Sequence, residues 1–471
     1  MTELLKPPFG LTSAELIQNP QKYFDAVGLK ELTPADMTQL ATRARERITQ
    51  RIYDRTSYPT FLKPIDPEKL EECEGQKNIV IEVGGTKMRA SEWIVKNGKV
   101  VLNGNTIFNG QLVDEKGKEK KAFNDSDDFF DHLFTALPGL IDRIKGNPDA
   151  ALSIIFSFPG QPTETEAGLD YEVGVLTKDF VIPEFEHTQF IPHLADYLKK
   201  KHQIEGTEML SKVSLFNDTA ILVGVDNNIG EVIGTGFNYA LKITVKRLRE
   251  MLGSNYAPGW DDNESMIVNI EAGNLGVMRE FLGDENKLSF LNRISIGSSK
   301  PEEYREEKLI SGMYLKEALK LVLEDINNIT DNSAATINDI KAIESKHISM
   351  ILKDNWNDVP FTIAEEYKLI VKRACEIIRN RSAQVAASLT QGGLMAAGEK
   401  HLATTIEGSV YWDMPGYGEE YAKAIHLMSG DNFSVSVNRP TIEGVGPELG
   451  SQYMGAVAGL LYFRDRGNRE E

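Results

Sequence analysis

Two glycine–threonine turns are the first places in this chain where chemistry could be done. Gly84-Gly85-Thr86 follows the β-branched run Ile79-Val80-Ile81, and Gly234-Thr235-Gly236 follows Val232-Ile233. Glycine lets a backbone approach an anion closely, successive N–H groups can cradle phosphate, and a threonine hydroxyl adds a donor. Neither turn has the Gly-x-x-x-x-Gly-Lys-Ser/Thr form of a P-loop, and neither is a dinucleotide fingerprint. One such hairpin is most often only a turn. Two with one layout point to the ends of a single polyphosphate.

Other candidates sit where strands should end. Asn217-Asp218 follows Val213-Ser214-Leu215-Phe216 directly. In α/β proteins sites gather at strand C-terminal ends, and a carboxylate there can take a hydroxyl proton; it can equally cap a helix. Ser157 also ends an apolar run, and Glu271 stands at a strand end before Gly273. Glu307 opens a helical run, where the helix dipole alone favours an acid. Thr177-Lys178 adds a hydroxyl and a cation. Each has an ordinary structural explanation when taken alone. His187 and His193 lack zinc-helix spacing, and no Gly-x-Ser-x-Gly elbow follows a strand.

The elements that must position these residues read as mixed α/β. Residues 12–52 have helical character, and the prolines from Pro59 to Pro67 break it. Ile79–Ile81, Met88–Val95 and Val100–Leu102 read as a three-strand meander, then Asp125–Lys145 as helix and Leu152–Phe156 as a buried strand. A second unit repeats the layout: a strand at 213–216, a short helix of small residues, a strand–Gly-Thr-Gly–strand segment at 231–240, and a strand at Met266–Ile270. Long helices are expected over 303–328 and 364–397. Two related α/β units would then face each other across a cleft.

The 471 residues can bury one or two large cores, and 52 basic against 70 acidic residues leave a net charge of −18. Such a surface repels phosphate backbones and anionic membranes, so neither nucleic acid nor membrane is expected as a partner. Two cysteines, Cys73 and Cys375, exclude a disulfide framework and suit a reducing compartment. The N-terminal residues lack a secretory pattern, and the late apolar run Ala456–Phe463 is too short to span a membrane. A cytoplasmic location is expected.

Taken in order, the motifs resemble those of the hexokinases from about residue 55 to 463. Ile81-Glu82-Val83-Gly84-Gly85-Thr86-Lys87-Met88-Arg89 resembles the family's first phosphate motif, and Phe156-Ser157-Phe158-Pro159 its sugar loop. Thr177-Lys178-Asp179-Phe180 is similar to Thr-Lys-Gly-Phe, and Asn217-Asp218-Thr219 to the second phosphate motif. Gly234-Thr235-Gly236-Phe237-Asn238, Asn269 to Gly276, Glu307 to Leu315, Arg373-Ala374-Cys375 and Gly408-Ser409-Val410-Tyr411 continue the order.

The resemblance implies a two-lobed, actin-like (ribonuclease H-like) α/β fold with mixed sheets, flanking helices and an interlobe cleft. It implies a small lobe over 76–216, a large lobe over 217–454 joined by 1–75, and a C-terminal helix, 455–471, returning to the small lobe. Ser157, Thr177, Lys178, Asn217, Asp218, Asn238, Glu271 and Glu307 would bind a hexose, glucose first. Asp218 would take the proton of the 6-hydroxyl as it attacks the γ-phosphorus of ATP, with Lys178 as a local cation. Gly84, Gly85, Thr86, Lys87 and Thr235 would contact phosphates, and Glu82 would face Mg²⁺ through water. A monomer or homodimer serving glycolysis is implied.

The sequence departs from the family pattern in three places. Glu82 replaces Asp in the first motif, Ala272 replaces the Trp after the sugar-binding Glu, and Gly446-Pro447-Glu448-Leu449-Gly450 replaces a Gly-Ser-Gly-x-Gly loop. All three leave the sugar residues intact, and two alter the nucleotide side. The alternative reading is therefore a sugar-binding regulator with weak or no phosphoryl transfer.

Overall fold

The computed structural model describes residues 10–470 apart from 55, 61, 85–87, 114–119, 159, 166–167, 175, 177–179, 205–211, 279–289, 299, 338–339, 431–432 and 441–448. The expectations for Gly85, Thr86, Lys87, Thr177, Lys178 and the loop Gly446 to Glu448 fall outside the described residues.

The strands are β1 (Tyr58–Pro59), β2 (Lys77–Val83), β3 (Met88–Lys96), β4 (Lys99–Gly110), β5 (Ala151–Phe156), β6 (Gly160–Thr165), β7 (Gly168–Val173), β8 (Val213–Phe216), β9 (Ile229–Ile233), β10 (Phe237–Thr244), β11 (Ser265–Asn269), β12 (Ala335–Ile337), β13 (Phe361–Ile363), β14 (Leu402–Glu407) and β15 (Val435–Asn438). Of the two large sheets, one has the order β4-β3-β2-β5-β8 and the other β1-β11-β10-β9-β14-β15, while β6-β7 and β12-β13 form two-stranded sheets of their own. In the first, β2-β3-β4 is an antiparallel meander, with β5 added parallel to β2 and β8 parallel to β5. In the second, β9-β10-β11 is the meander, with β14 parallel to β9 and β15 parallel to β14. The two halves of the repeat therefore share one construction.

Parallel central strands are buried on both faces, as the wholly buried β5 shows; its one polar residue, Ser153, accepts from Asn78 Nδ2 at 2.9 Å. One core packs the helices Ser13–Gln18, Pro20–Val27 and Pro34–Tyr53 with the second sheet and the 33-residue helix Glu365–Ala397. Another packs the first sheet with Ser126–Ala136 and Phe190–His202. A third lies where the sheets meet: Val80, Ile155, Phe216, Ala240 and Ile267 pack with Ala456, Val457, Leu460 and Leu461 of the C-terminal helix Gly450–Glu470. That helix packs on β2 and β5. Among the described residues no helix is long and apolar enough to cross a membrane.

Three expected helices come out differently. The 125–145 segment is capped by Asp125, whose side chain accepts from Asp128 N, but it breaks at Gly139 (φ 87°) into Ser126–Ala136 and Leu140–Lys145. The helix expected after Thr219 is only the single turn Ala220–Leu222, and Asp218 does not cap it. The 303–328 helix is interrupted at Ser311, which is extended, giving Arg305–Ile310 and Gly312–Ile329. The interruption frees the Gly312 N–H to donate to Gly234 O at 2.8 Å, so the longer helix starts on the second glycine turn.

Candidate active site

Strands β2, β5 and β8 run parallel, so Gly84, Ser157 and Asn217-Asp218 come off the same edge of their sheet. In the other sheet β9, β11 and β14 end together, delivering Gly234–Gly236, Glu271 and Glu407-Gly408. Parallel strand direction thus gathers residues far apart in the chain.

A continuous hydrogen-bonded chain joins the two halves. Asn217 Oδ1 accepts from Thr219 N (3.0 Å), from Ala220 N (3.3 Å) and from the Thr219 hydroxyl. Asn238 Nδ2 donates to Thr219 Oγ1 (3.1 Å) and to Asn269 Oδ1 (2.8 Å). Asn269 Nδ2 donates to Glu271 Oε1 at 2.7 Å. Asn238 Oδ1 accepts from Tyr239 N (2.8 Å) and Ala272 N (2.9 Å). A primary amide has two donors and two acceptor positions, and all four of Asn238 are engaged by protein. In this structure Asn238 is a brace that carries position from Thr219 to the Glu271 turn. Asn217 likewise spends its carbonyl oxygen on its own turn, which holds Asp218 half-buried at the head of that turn.

Behind the turn, the Asn217 N–H donates to the Tyr171 phenol oxygen at 2.8 Å. Burial raises the Tyr171 pKa well above its ordinary value, and the charges of Glu271 and Asp218 add to it. The phenol keeps its proton. Glu307 lies beside the Glu271 turn. Gly273 makes that contact possible, since a Cβ there would stand 2.8 Å from Phe237 O and 3.2 Å from Glu307 Cβ. Ser157 is half-buried after β5, its N–H donating to Val83 O at 3.3 Å.

The other side of Asp218 is acidic. Glu82 is paired with Arg89 across β2 and β3, at 3.8 Å. Burial raises its pKa; Arg89 opposes the rise and Asp218 adds to it. Glu407 is pushed up to about 8, by burial first and then by the charges of Glu82 and Asp218. The Ser451 hydroxyl, at the start of the C-terminal helix, donates to Glu407 Oε1 at 3.3 Å. Glu82 Oε2 is buried without a hydrogen-bond donor. Among the described residues no three His, Cys, Asp or Glu side chains are gathered to chelate an ion alone. Oxygen ligands, one of them a buried carboxylate oxygen that faces Arg89 but accepts no hydrogen bond, fit a Mg²⁺ that keeps its waters and arrives on a phosphate.

The exposed Thr235 stands on the second glycine turn, which packs back to back with Gly408. Gly408 has φ 123°, and a Cβ there would overlap the Ile233 carbonyl. Ser409 follows and lines a cavity of about 380 Å³ with Ser345, Lys346, Ser349 and Asp413. Hydroxyls, the two ammonium groups of Lys346 and Lys353, the Asn355 amide and one carboxylate around a cavity beside a glycine turn suit a nucleoside.

Tyr171, Thr219, Asn269 and Glu407 join the site without having been assigned a role from sequence. Thr219 and Asn269 lay inside motifs already noted, and Glu407 directly precedes Gly408. Tyr171 carried no signal: only folding of the β6–β7 hairpin brings it beneath Asn217.

Comparison with known proteins finds hexokinases. A family model described as hexokinase matches residues 228–445. Hexokinase-1 of Saccharomyces cerevisiae is 23% identical over 413 residues, covering 82% of this chain and 81% of its own. Human Hexokinase-1 is 22% identical over 461 residues, covering 91% of this chain; the chain spans about half, 47%, of that relative's length. Among solved structures, the hexokinase of Schistosoma mansoni complexed with glucose superposes with a TM-score of 0.73 at 18% identity, covering 95% of this chain and 99% of its own. The chain therefore has the two-lobed, actin-like α/β fold.

Proposed function

We propose that the chain is a hexokinase-type sugar kinase, a reading supported by its similarity to hexokinases, and that it transfers the γ-phosphoryl group of ATP to the 6-hydroxyl of glucose. The observation that carries this reading is the placement of Asp218. It is half-buried between the chain that ends at Glu271 and the carboxylates Glu82 and Glu407. A hexose offers hydroxyls all round, and Ser157, Glu271 and Glu307 supply the acceptors and donor that such a ring needs. Asp218 takes the 6-hydroxyl proton as that oxygen bonds to the γ-phosphorus and the bond to ADP breaks. The Thr235 turn and Gly408 offer backbone to the phosphates, and the Ser345–Ser409 cavity takes the nucleoside. Mg²⁺ bound with the nucleotide would neutralise phosphate charge, with Glu82 and Glu407 as the residues that hold its waters. In this reading, 76–216 and 217–454 are the lobes that close on the sugar, excluding water as a competing nucleophile.

The regulator reading is favoured by one feature: Glu82 and Glu407 place two buried carboxyl groups, acceptors rather than cations, where polyphosphate must bind. Phosphorus NMR of the chain with glucose, ATP and Mg²⁺ separates the two. Growth of a glucose 6-phosphate resonance with loss of the γ-signal supports the kinase. Glucose binding by calorimetry with no new resonance supports the regulator.

A further inference from the structure

Glu271 is held from behind by the N-terminal part of the chain. Arg47 and Arg51 lie one turn apart on the helix Pro34–Tyr53, so both side chains leave from the same face. Arg47 Nε donates to Leu275 O at 3.2 Å. Arg51 Nη1 donates to Asn274 O at 2.7 Å and to Glu271 O at 3.3 Å. Its Nη2 donates to Thr56 O at 2.9 Å, which ties in the segment leading to β1. Three carbonyls of the 271–275 turn are thus gripped by two guanidinium groups. On the opposite side Tyr304 N donates to Asn274 Oδ1 at 3.1 Å, and Met278 N donates to the buried Glu306 at 2.9 Å.

This grip has a conformational purpose. Glu271 has φ 56° and ψ 51°, and Tyr304 has φ 55° and ψ 36°, left-handed values that disfavour any residue with a Cβ. Such a conformation persists only where the surroundings over-determine it. At Glu271 it turns the chain sharply after β11, so that the carboxylate folds back to accept from Asn269 Nδ2. Guanidinium suits the task, because a rigid planar fork of five donors can reach carbonyls in several directions, where an ammonium cannot.

We propose that Arg51, assisted by Arg47, is a positioning residue for the sugar site: it holds the Glu271 backbone in its left-handed turn and so sets the affinity for the hexose. The proposal rests on the reading of Glu271 as a sugar-binding residue. Arg51 acts through the turn, by its bonds to Glu271 O and Asn274 O.

The test compares wild type, Arg51→Met, Arg51→Lys and Arg47→Met by three measurements. Glucose calorimetry reads the site, steady-state kinetics read sugar and nucleotide separately, and hydrogen exchange over 270–278 reads the turn without any ligand. Losing charge-assisted bonds to two carbonyls in the turn should raise the glucose dissociation constant roughly ten- to a hundredfold in Arg51→Met. The KM for ATP should stay within about twofold, the kcat at saturating glucose should change less than the KM for glucose, and the turn should exchange faster. Arg51→Lys should recover only part of the affinity. Arg47→Met, at the more exposed of the two positions, should give a smaller change of the same kind, and it serves if Arg51→Met fails to fold. Glucose affinity in Arg51→Met within about twofold of wild type would overturn the proposal, as would an equal loss of glucose and ATP binding. If the wild type binds no hexose, the functional reading fails instead, and exchange alone then decides whether Arg51 fixes the turn.

Discussion

Replacing Glu231 with Gln should change how stability depends on pH. Glu231 is fully buried on β9, just before the Gly234 turn, and accepts from Thr390 Oγ1 (3.0 Å), Thr404 Oγ1 (3.0 Å) and the Tyr421 phenol (2.9 Å). It fastens β9 to β14 and to the helices behind them, and so braces the strands that carry Gly234 and Gly408. Burial pushes its carboxyl up to about 7, against an ordinary value of 4.5, and the three donors offset only part of that. The folded state therefore keeps this proton where the unfolded chain has lost it. Stability from this group is fully present below pH 4.5, falls as pH rises to about 7, and is flat above. At 1.36 kcal/mol per unit, the fall is about 3 kcal/mol. Gln keeps the shape and an acceptor oxygen and does not ionise. Denaturant unfolding of both proteins between pH 4.5 and 8 should show the variant gaining about 3 kcal/mol on wild type across that range. Glu407 titrates in the same window but is common to both proteins and cancels. A constant difference across the range would mean that Glu231 is ionised throughout, and the reasoning from burial would be wrong.

Two other substitutions probe the frame of the site. Gly273→Ala would put a methyl 2.8 Å from the Phe237 carbonyl and 3.2 Å from Glu307 Cβ. It should cost about 1–3 kcal/mol of stability and weaken glucose binding while sparing the nucleotide; equal affinity for glucose by calorimetry would contradict the role given to that contact. The buried Arg293 pairs with both oxygens of Asp325, at 2.6 and 2.7 Å, and the Tyr23 hydroxyl adds a bond at 3.1 Å. Arg293→Met leaves that carboxylate buried without its cation and should cost about 3–5 kcal/mol by denaturant unfolding, against a far smaller loss for Tyr23→Phe.

Much of the fold was legible because local signals and tertiary needs agree. The β-branched runs at 79–81 and 152–156 became β2 and β5, and the Gly-Thr-Gly segment became the β9–β10 hairpin. The shared layout of the two units was visible as a weak repeat and is realised as two sheets of one construction. What stayed hidden depends on contacts across long separations. The break at Ser311 has no proline or glycine run to announce it; it arises because Gly312 must meet Gly234. The β6–β7 hairpin alternates too weakly to be read, so Tyr171 was invisible. The motifs located the Asn217, Asn238 and Glu271 segments, but not that Asn238 saturates its amide on Thr219, Asn269 and the backbone. That outcome depends on the register that sets Ala240 opposite Asn269. Arg51 reaches Asn274 across 223 residues, a distance at which sequence carries no pattern.

The account turns on Asp218 as the group that accepts the sugar's proton. Its most direct test is Asp218→Asn, followed by glucose calorimetry and by the rate of glucose 6-phosphate formation on the same preparation. The account predicts glucose binding close to wild type and a rate lower by about 10²- to 10⁴-fold. Asp218→Asn turning over glucose at the wild-type rate would contradict it.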